Sequence, residues 1–119
     1  LQTMTNALYE AGINIWGSVT NDGAEYGINR MVVSDPDKAK EVLTEKGYLC
    51  RFVDVLAVEI EDKPGALNTL LTALLDSNVN VDYTYLSFNR DSSTPVMILH
   101  TADPEEVEIC LKAKGFKMV

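Results

Sequence analysis

The property that most restricts how this chain can fold is that it repeats itself. Leu1, Thr3, Ala7, Leu8 and Asn14 recur in order as Leu67, Thr69, Ala73, Leu74 and Asn80, and Ile13 and Ile15 fall on Val79 and Val81. Past a two-residue insertion, Asp35-Pro36, Leu43 and Lys46-Gly47 recur as Asp103-Pro104, Leu111 and Lys114-Gly115. The positions that recur are the ones that set local structure: helix caps, inward-facing apolar residues and helix stops. A chain with this property is expected to build one supersecondary unit twice.

Each unit can be read from its periodicities. Leu1, Met4, Leu8 and Ala11 share a helical face and Gly12 ends it. Ile13, Ile15 and Val19 alternate as in a half-buried strand, and Asn21-Asp22-Gly23 offers residues that tolerate positive φ in a hairpin before a second strand from about Glu25 to Val33. Asp35-Pro36 predicts an N-cap followed by proline at the first helical position. Ala39, Val42 and Leu43 form the inward stripe, and Gly47 closes the helix. A further strand is expected at about Tyr48 to Val53, and another over Asp54 to Ile60. The predicted order within a unit is strand, helix, strand, strand, helix, strand. This is an α+β, ferredoxin-like βαββαβ arrangement with helices on one face of an antiparallel sheet. The expected boundaries are residues 1–53 for a first unit without its first strand and 54–119 for the second. Because the repeat opens on Leu1, the counterpart of Leu67, an upstream strand and a second Pro-Gly turn are expected to precede Leu1 in the natural protein.

Composition removes several functions. The chain is 46% hydrophobic, with 18 acidic residues against 10 basic ones and a net charge of −8. A surface of that sign repels phosphate backbones, so nucleic acid is not an expected partner. No run approaches the ~20 apolar residues of a membrane span, no leader opens the chain, and a cytoplasmic location without membrane contact is expected. Cys50 and Cys110 stand singly inside periodic segments and read as reduced core thiols; neither a disulfide, a metal nor a cofactor is expected. His100 is the only histidine and reads as structural; Arg30 and Arg90 read as solvated charges. Nothing resembles a nucleophile with its base, a phosphate loop or a paired acid and base, so no catalytic residue is assigned and the protein is not expected to be an enzyme.

The segment with chemical potential is Glu61-Asp62-Lys63-Pro64-Gly65-Ala66-Leu67, between the apolar run Val55–Val58 and a helical pattern of Leu67, Leu70, Leu71 and Leu74. Unpaired amides of a helix start point beyond such a turn, where they could receive a carboxylate. Asp62 reads first as a simple N-cap, and Pro64 and Gly65 most economically as plain turn geometry. Asn14 and Asn80, each at a strand start, read either as caps of local backbone or as ligand contacts. Trp16, Tyr83 and Tyr85 could wall a pocket or fill a sheet face.

Taken together and twice over, Glu61 to Leu67, Asn78-Val79-Asn80-Val81, Ala11-Gly12-Ile13-Asn14-Ile15 and Glu25 to Val33 resemble the ACT domain, in the form where two ACT units in tandem make up the protein. The resemblance covers essentially the whole chain. It implies a regulatory or sensor protein that binds a small effector, an amino acid or a relative of one, between paired ACT units, and that forms a homodimer. Carried over, the ligand-binding positions are Asp62, Lys63, Pro64, Gly65 and Ala66 of the turn, with Asn14 and Asn80 as the Asn positions of a neighbouring unit. The sequence departs from some ligand binders at Ile60, where a polar or His side chain can stand, and at Asp62, where an amide can stand. On this reading Gly65→Val should abolish the ligand response and leave the fold. The alternative is an effector-free module for dimerisation or protein docking.

Overall fold

A computed structural model describes residues 2–22, 27–89 and 91–119. It is an α+β fold of two compact units, Leu1–Val53 and Asp54–Val119. In the first, α1 (Gln2–Glu10) leads into β1 (Ile15–Asp22), then β2 (Gly27–Val33) and α2 (Pro36–Glu45). In the second, β3 (Leu56–Glu59) is followed by α3 (Ala66–Asp76), β4 (Val81–Phe88), β5 (Pro95–Thr101), α4 (Pro104–Ala113) and β6 (Lys117–Met118). The expected hairpin residue Gly23, the start of the second strand at Glu25 and Tyr26, and Leu1 and Arg90 lie outside the described residues.

The second unit is the complete βαββαβ motif. Its sheet runs β4-β5-β3-β6, every neighbour antiparallel. Alternation along the strands sends Leu56 and Val58 of β3 and Met97 and Leu99 of β5 to one face. There they pack with Leu70 and Leu74 of α3 and Val107 and Leu111 of α4. Both helices therefore lie on the same side of the sheet. Val58, Leu70, Leu99 and Leu111 have no exposed surface, and each contributes about 2 kcal/mol of burial free energy. At the edge of the sheet, Thr84, Leu86 and Phe88 of β4 share the helix-side face, since Thr84 stands opposite Leu99 and Leu86 opposite Met97.

The first unit repeats this arrangement in the elements it has. β1 pairs antiparallel with β2, and Leu8, Ile13, Val33, Ala39 and Leu43 form its core beneath α1 and α2. The two units agree to the residue: β1 matches β4, β2 matches β5 and α2 matches α4 in both bounds. Each helix stop is also repeated. Gly47 and Gly115 both have φ of 90°, and the amides of Tyr48 and Phe116 both bond at 3.0 Å to a carbonyl of the preceding helix, Leu43 and Leu111. The ladder is interrupted at one repeated rung. Trp16 is the extra residue between the paired positions Ile15 and Gly17, and Asp82, its repeat counterpart, is the extra residue between Val81 and Tyr83.

Two expectations are corrected. Residues 48–53 form no strand; Leu49, Phe52 and Val53 are exposed. Their counterpart β6 is a strand because it pairs with β3, and residues 1–53 hold no counterpart of β3, so this segment has no ladder to join. The first described strand also begins at Ile15 rather than Ile13, whose side chain is buried below the sheet in the turn after α1.

Candidate functional site

The turn between β3 and α3 is built by its backbone. Ile60 donates to the Pro95 carbonyl at 3.0 Å, which extends the β3–β5 ladder by one rung before the chain bends away. Gly65, at φ 88° and ψ −9°, is the N-cap of α3, and among the described residues no side chain caps the amides of the helix start. Its carbonyl accepts from both the amide and the hydroxyl of Thr69, each at 2.9 Å, and Ala66 donates to the Lys63 carbonyl at 3.2 Å. Among the described bonds none engages the amides of Leu67 and Asn68, so the first helical turn presents two donors beyond the loop.

This geometry corrects the reading of Asp62 as an N-cap: the cap is three residues later, and Asp62 is exposed at the outer side of the loop. Pro64 precedes the cap instead of occupying the first helical position. A Cβ on Gly65 would meet nothing within 4 Å, so this glycine answers the left-handed φ and not crowding by protein atoms. Gly65→Val therefore strains the turn and does not isolate a ligand effect. Lys63 Nζ lies 2.7 Å from Glu61 Oε2, both side chains well exposed. The loop thus offers backbone donors at its base and two carboxylates and one ammonium at its rim.

Asp62, Lys63, Pro64, Gly65 and Ala66 are brought together; Asn80 is not brought to them within its own unit. The turn lies at the start of α3 and Asn80 beyond its end, and the 11 residues between span about 16 Å. Asn14 has the same place after α1. Its amide donates to Ser34 Oγ at 2.9 Å and its carbonyl accepts from the Ser34 amide at 3.0 Å, which fixes its backbone. Both Asn side chains are exposed, and among the described bonds neither caps local backbone.

Two polar clusters escaped the sequence reading. His100 Nδ1 lies 2.8 Å from Asp82 Oδ2, and the imidazole stacks on Tyr83 with centroids 4.8 Å apart and planes 3° from parallel. Tyr83 in turn stacks with Tyr85 at 6.4 Å. The bulge at Asp82 brings this carboxylate to the histidine, and a bulge leaves no trace in apolar alternation. Between β3 and the edge strand β6, Glu59 and Lys117 face each other in register with Oε2 and Nζ 3.1 Å apart. Hydrogen bonding by Lys117 holds the Glu59 carboxyl below the ordinary carboxylate range, against the opposing effect of burial and with help from Thr94 and Ser92. This pair was accessible from sequence once the first and last strands of the unit were placed side by side.

Among the described residues no group of three or more His, Cys, Asp or Glu could hold a metal ion, and no helix is long and apolar enough to cross a membrane. A shallow depression outside α2, lined by Asp37, Lys40, Glu41, Thr44, Glu45 and Phe52, holds Lys40 Nζ 4.8 Å over the Phe52 ring and is open to solvent.

The crystal structure of protein BT0572 from Bacteroides thetaiotaomicron superposes with a TM-score of 0.88 at 26% identity, over 99% of this chain and 81% of that one. No curated protein matches the sequence. The family described as an ACT domain pair matches residues 1–118. ACT domains are in general ligand-binding regulatory domains, and the repeated units, the βαββαβ order and the Pro-Gly turn are in keeping with this match. The chain belongs to the ACT domain pair family.

Proposed function

We propose that this protein is a non-catalytic sensor, acting in the cytoplasm as a homodimer, that binds an amino acid where the Asp62–Ala66 turn of one ACT unit meets the strand-start Asn of another. The observation that carries this reading is the start of α3. Gly65 caps it without a side chain, and the amides of Leu67 and Asn68 remain available beside the carboxylates of Glu61 and Asp62. A zwitterion needs donors for its carboxylate and acceptors for its ammonium, and this turn supplies both within one loop. In this scheme Pro64 and Gly65 shape the loop, the amides that follow Ala66 receive the carboxylate, and Asp62 receives the ammonium. Lys63 screens the acids, and Asn14 or Asn80 of the neighbouring unit orients the ligand. Binding passes to a regulated partner through different affinities for two states of the protein.

Thermal unfolding in the presence of each of the twenty amino acids tests the proposal. A ligand at 100 times its dissociation constant should add about 2.7 kcal/mol to stability, and Asp62→Ala should remove the gain for that ligand alone. A second reading, an effector-free assembly module, is favoured by the engagement of Lys63 with Glu61 and by the exposed leucines of α3. The absence of any shift at millimolar concentrations would select it.

A further inference from the structure

The two strand-start asparagines stand in different company. Asn14 is opposite Ser34, the residue after β2, whose hydroxyl oxygen accepts from the Asn14 amide at 2.9 Å and whose O–H donates to nothing among the described bonds. In the first turn of α2, Lys38 reaches back to the same end of the unit, where its Nζ donates to the Ala11 carbonyl at 2.9 Å, in the turn that leads to Asn14. An ammonium has three donors, so this bond leaves two. Asn14, Ser34 and Lys38 are all exposed.

The repeat shows that the fold does not ask for this group. Ser34-Asp35-Pro36-Asp37-Lys38 stands against Ala102-Asp103-Pro104-Glu105-Glu106, so the counterparts of Ser34 and Lys38 are an alanine and a glutamate. Nor is Lys38 needed to end α1. Helices α1 and α3 stop alike, at left-handed Gly12 (φ 75°) and Asn78 (φ 57°), and the amides of Ile13 and Val79 bond to the Leu8 and Leu74 carbonyls at 3.0 and 2.9 Å. The second stop forms with Glu106 in the place of the cation. The α2 start, with Asp35, Asp37 and Lys38, has a net charge of −1; the α4 start, with Asp103, Glu105 and Glu106, has −3. Asp35 Oδ1 is in addition turned back to the Lys38 amide of its own helix.

We infer that Asn14, Ser34 and Lys38 receive the side-chain carboxylate of an acidic amino acid, so that Asn14, and not Asn80, is the asparagine that completes the effector site. This rests on the sensor reading proposed above and names its ligand class. An ammonium, a hydroxyl and a carboxamide N–H are donors matched to the two oxygens of a carboxylate, and the charge-assisted bond from Lys38 favours an ionised oxygen over the amide of glutamine or asparagine. The ammonium and α-carboxylate of the ligand remain with the Asp62–Ala66 turn, as in that reading. At the Asn80 end of the second unit the same side chain faces a helix start of charge −3 and is repelled.

Thermal unfolding of the whole chain with each of the twenty amino acids at about 10 mM, followed by calorimetric titration of L-glutamate, L-aspartate and L-glutamine, tests the inference. L-Glutamate or L-aspartate should raise the unfolding midpoint more than L-glutamine does, and L-leucine least. Lys38→Met should weaken the acidic amino acid at least about tenfold and leave L-glutamine nearly unchanged, a charge-specific loss that a purely structural role of Lys38 would not produce. Ser34→Ala, with the residue the second unit carries there, should weaken it roughly threefold. Glu106→Met, the control, should bind as wild type. Circular dichroism without ligand checks that each variant folds, and Ser34→Ala carries the test alone if Lys38→Met does not. A shift by other amino acids and none by the two acidic ones would overturn the ligand class and leave the sensor reading standing. Full binding of L-glutamate by both first-unit variants, or a loss shared by Glu106→Met, would overturn the choice of residues. No shift by any of the twenty would overturn the sensor reading and this inference with it.

Discussion

Asp35 and Asp103 occupy the same place in the two repeats but do different work. Asp35 Oδ1 accepts from the Lys38 amide at 3.2 Å, whereas the Asp103 side chain makes no cap bond. Asp35→Ala should therefore cost about 1 kcal/mol in urea denaturation, and Asp103→Ala ~0.5 kcal/mol or less, since only its charge near the helix start is lost. Gly65 gives a second test. Because an added Cβ meets no atom, Gly65→Ala should cost only the left-handed φ, about 1–2 kcal/mol, and Gly65→Asn less, because Asn tolerates that region. Much of this scale was legible in the sequence. Asp35-Pro36 announced its cap, and Gly47 and Gly115 their stops, because each acts through bonds to near neighbours. Asp62 misled, because Asp five residues ahead of a leucine stripe looks like an N-cap, and the left-handed turn at Gly65 that moves the helix start is invisible in residue types. His100 finding Asp82 depended on a register shift that no local pattern records.

Among the elements, helices and strands share the cores, and the β3–β6 rung carries an ion pair. Leu8 in α1 and Leu74 in α3 are repeat counterparts, 0 and 2% exposed. Truncating either to Ala should lower unfolding free energy by about 3 kcal/mol, measured by denaturation, with the exact cost set by how far each cavity can close. The β3–β6 pairing carries a pH signature. The Glu59 carboxyl is held low in the folded protein, chiefly by Lys117, so its contribution to stability is present above the unfolded carboxylate pKa and is lost as pH falls through the folded one. Lys117→Met should flatten the acid limb of the urea midpoint plotted against pH by lowering its neutral plateau, with the midpoint below the folded carboxyl's range little changed. At this scale the periodicities and the repeat placed the four described helices. They failed at residues 48–53, where a run rich in apolar and aromatic residues has strand propensity but pairs with no strand among the described residues.

Over the whole molecule the ladders are unequal. β5 is paired on both sides, by β4 and β3, while β1 and β2 pair only with each other among the described residues. Amide hydrogen exchange should show β5 protected longest, β1 and β2 exchanging earlier, and residues 48–53 earliest. The doubled architecture itself was readable from the caps and stops that recur, because a repeat preserves the residues its backbone needs. The shared irregularity at Trp16 and Asp82 has a consequence for how the two halves diverged. An indole and a carboxylate could hardly differ more, yet both ride on the same kink, so the backbone and not the side chain maintains it. That rung thus keeps its irregularity with either side chain, and the two units differ in chemistry there while sharing it.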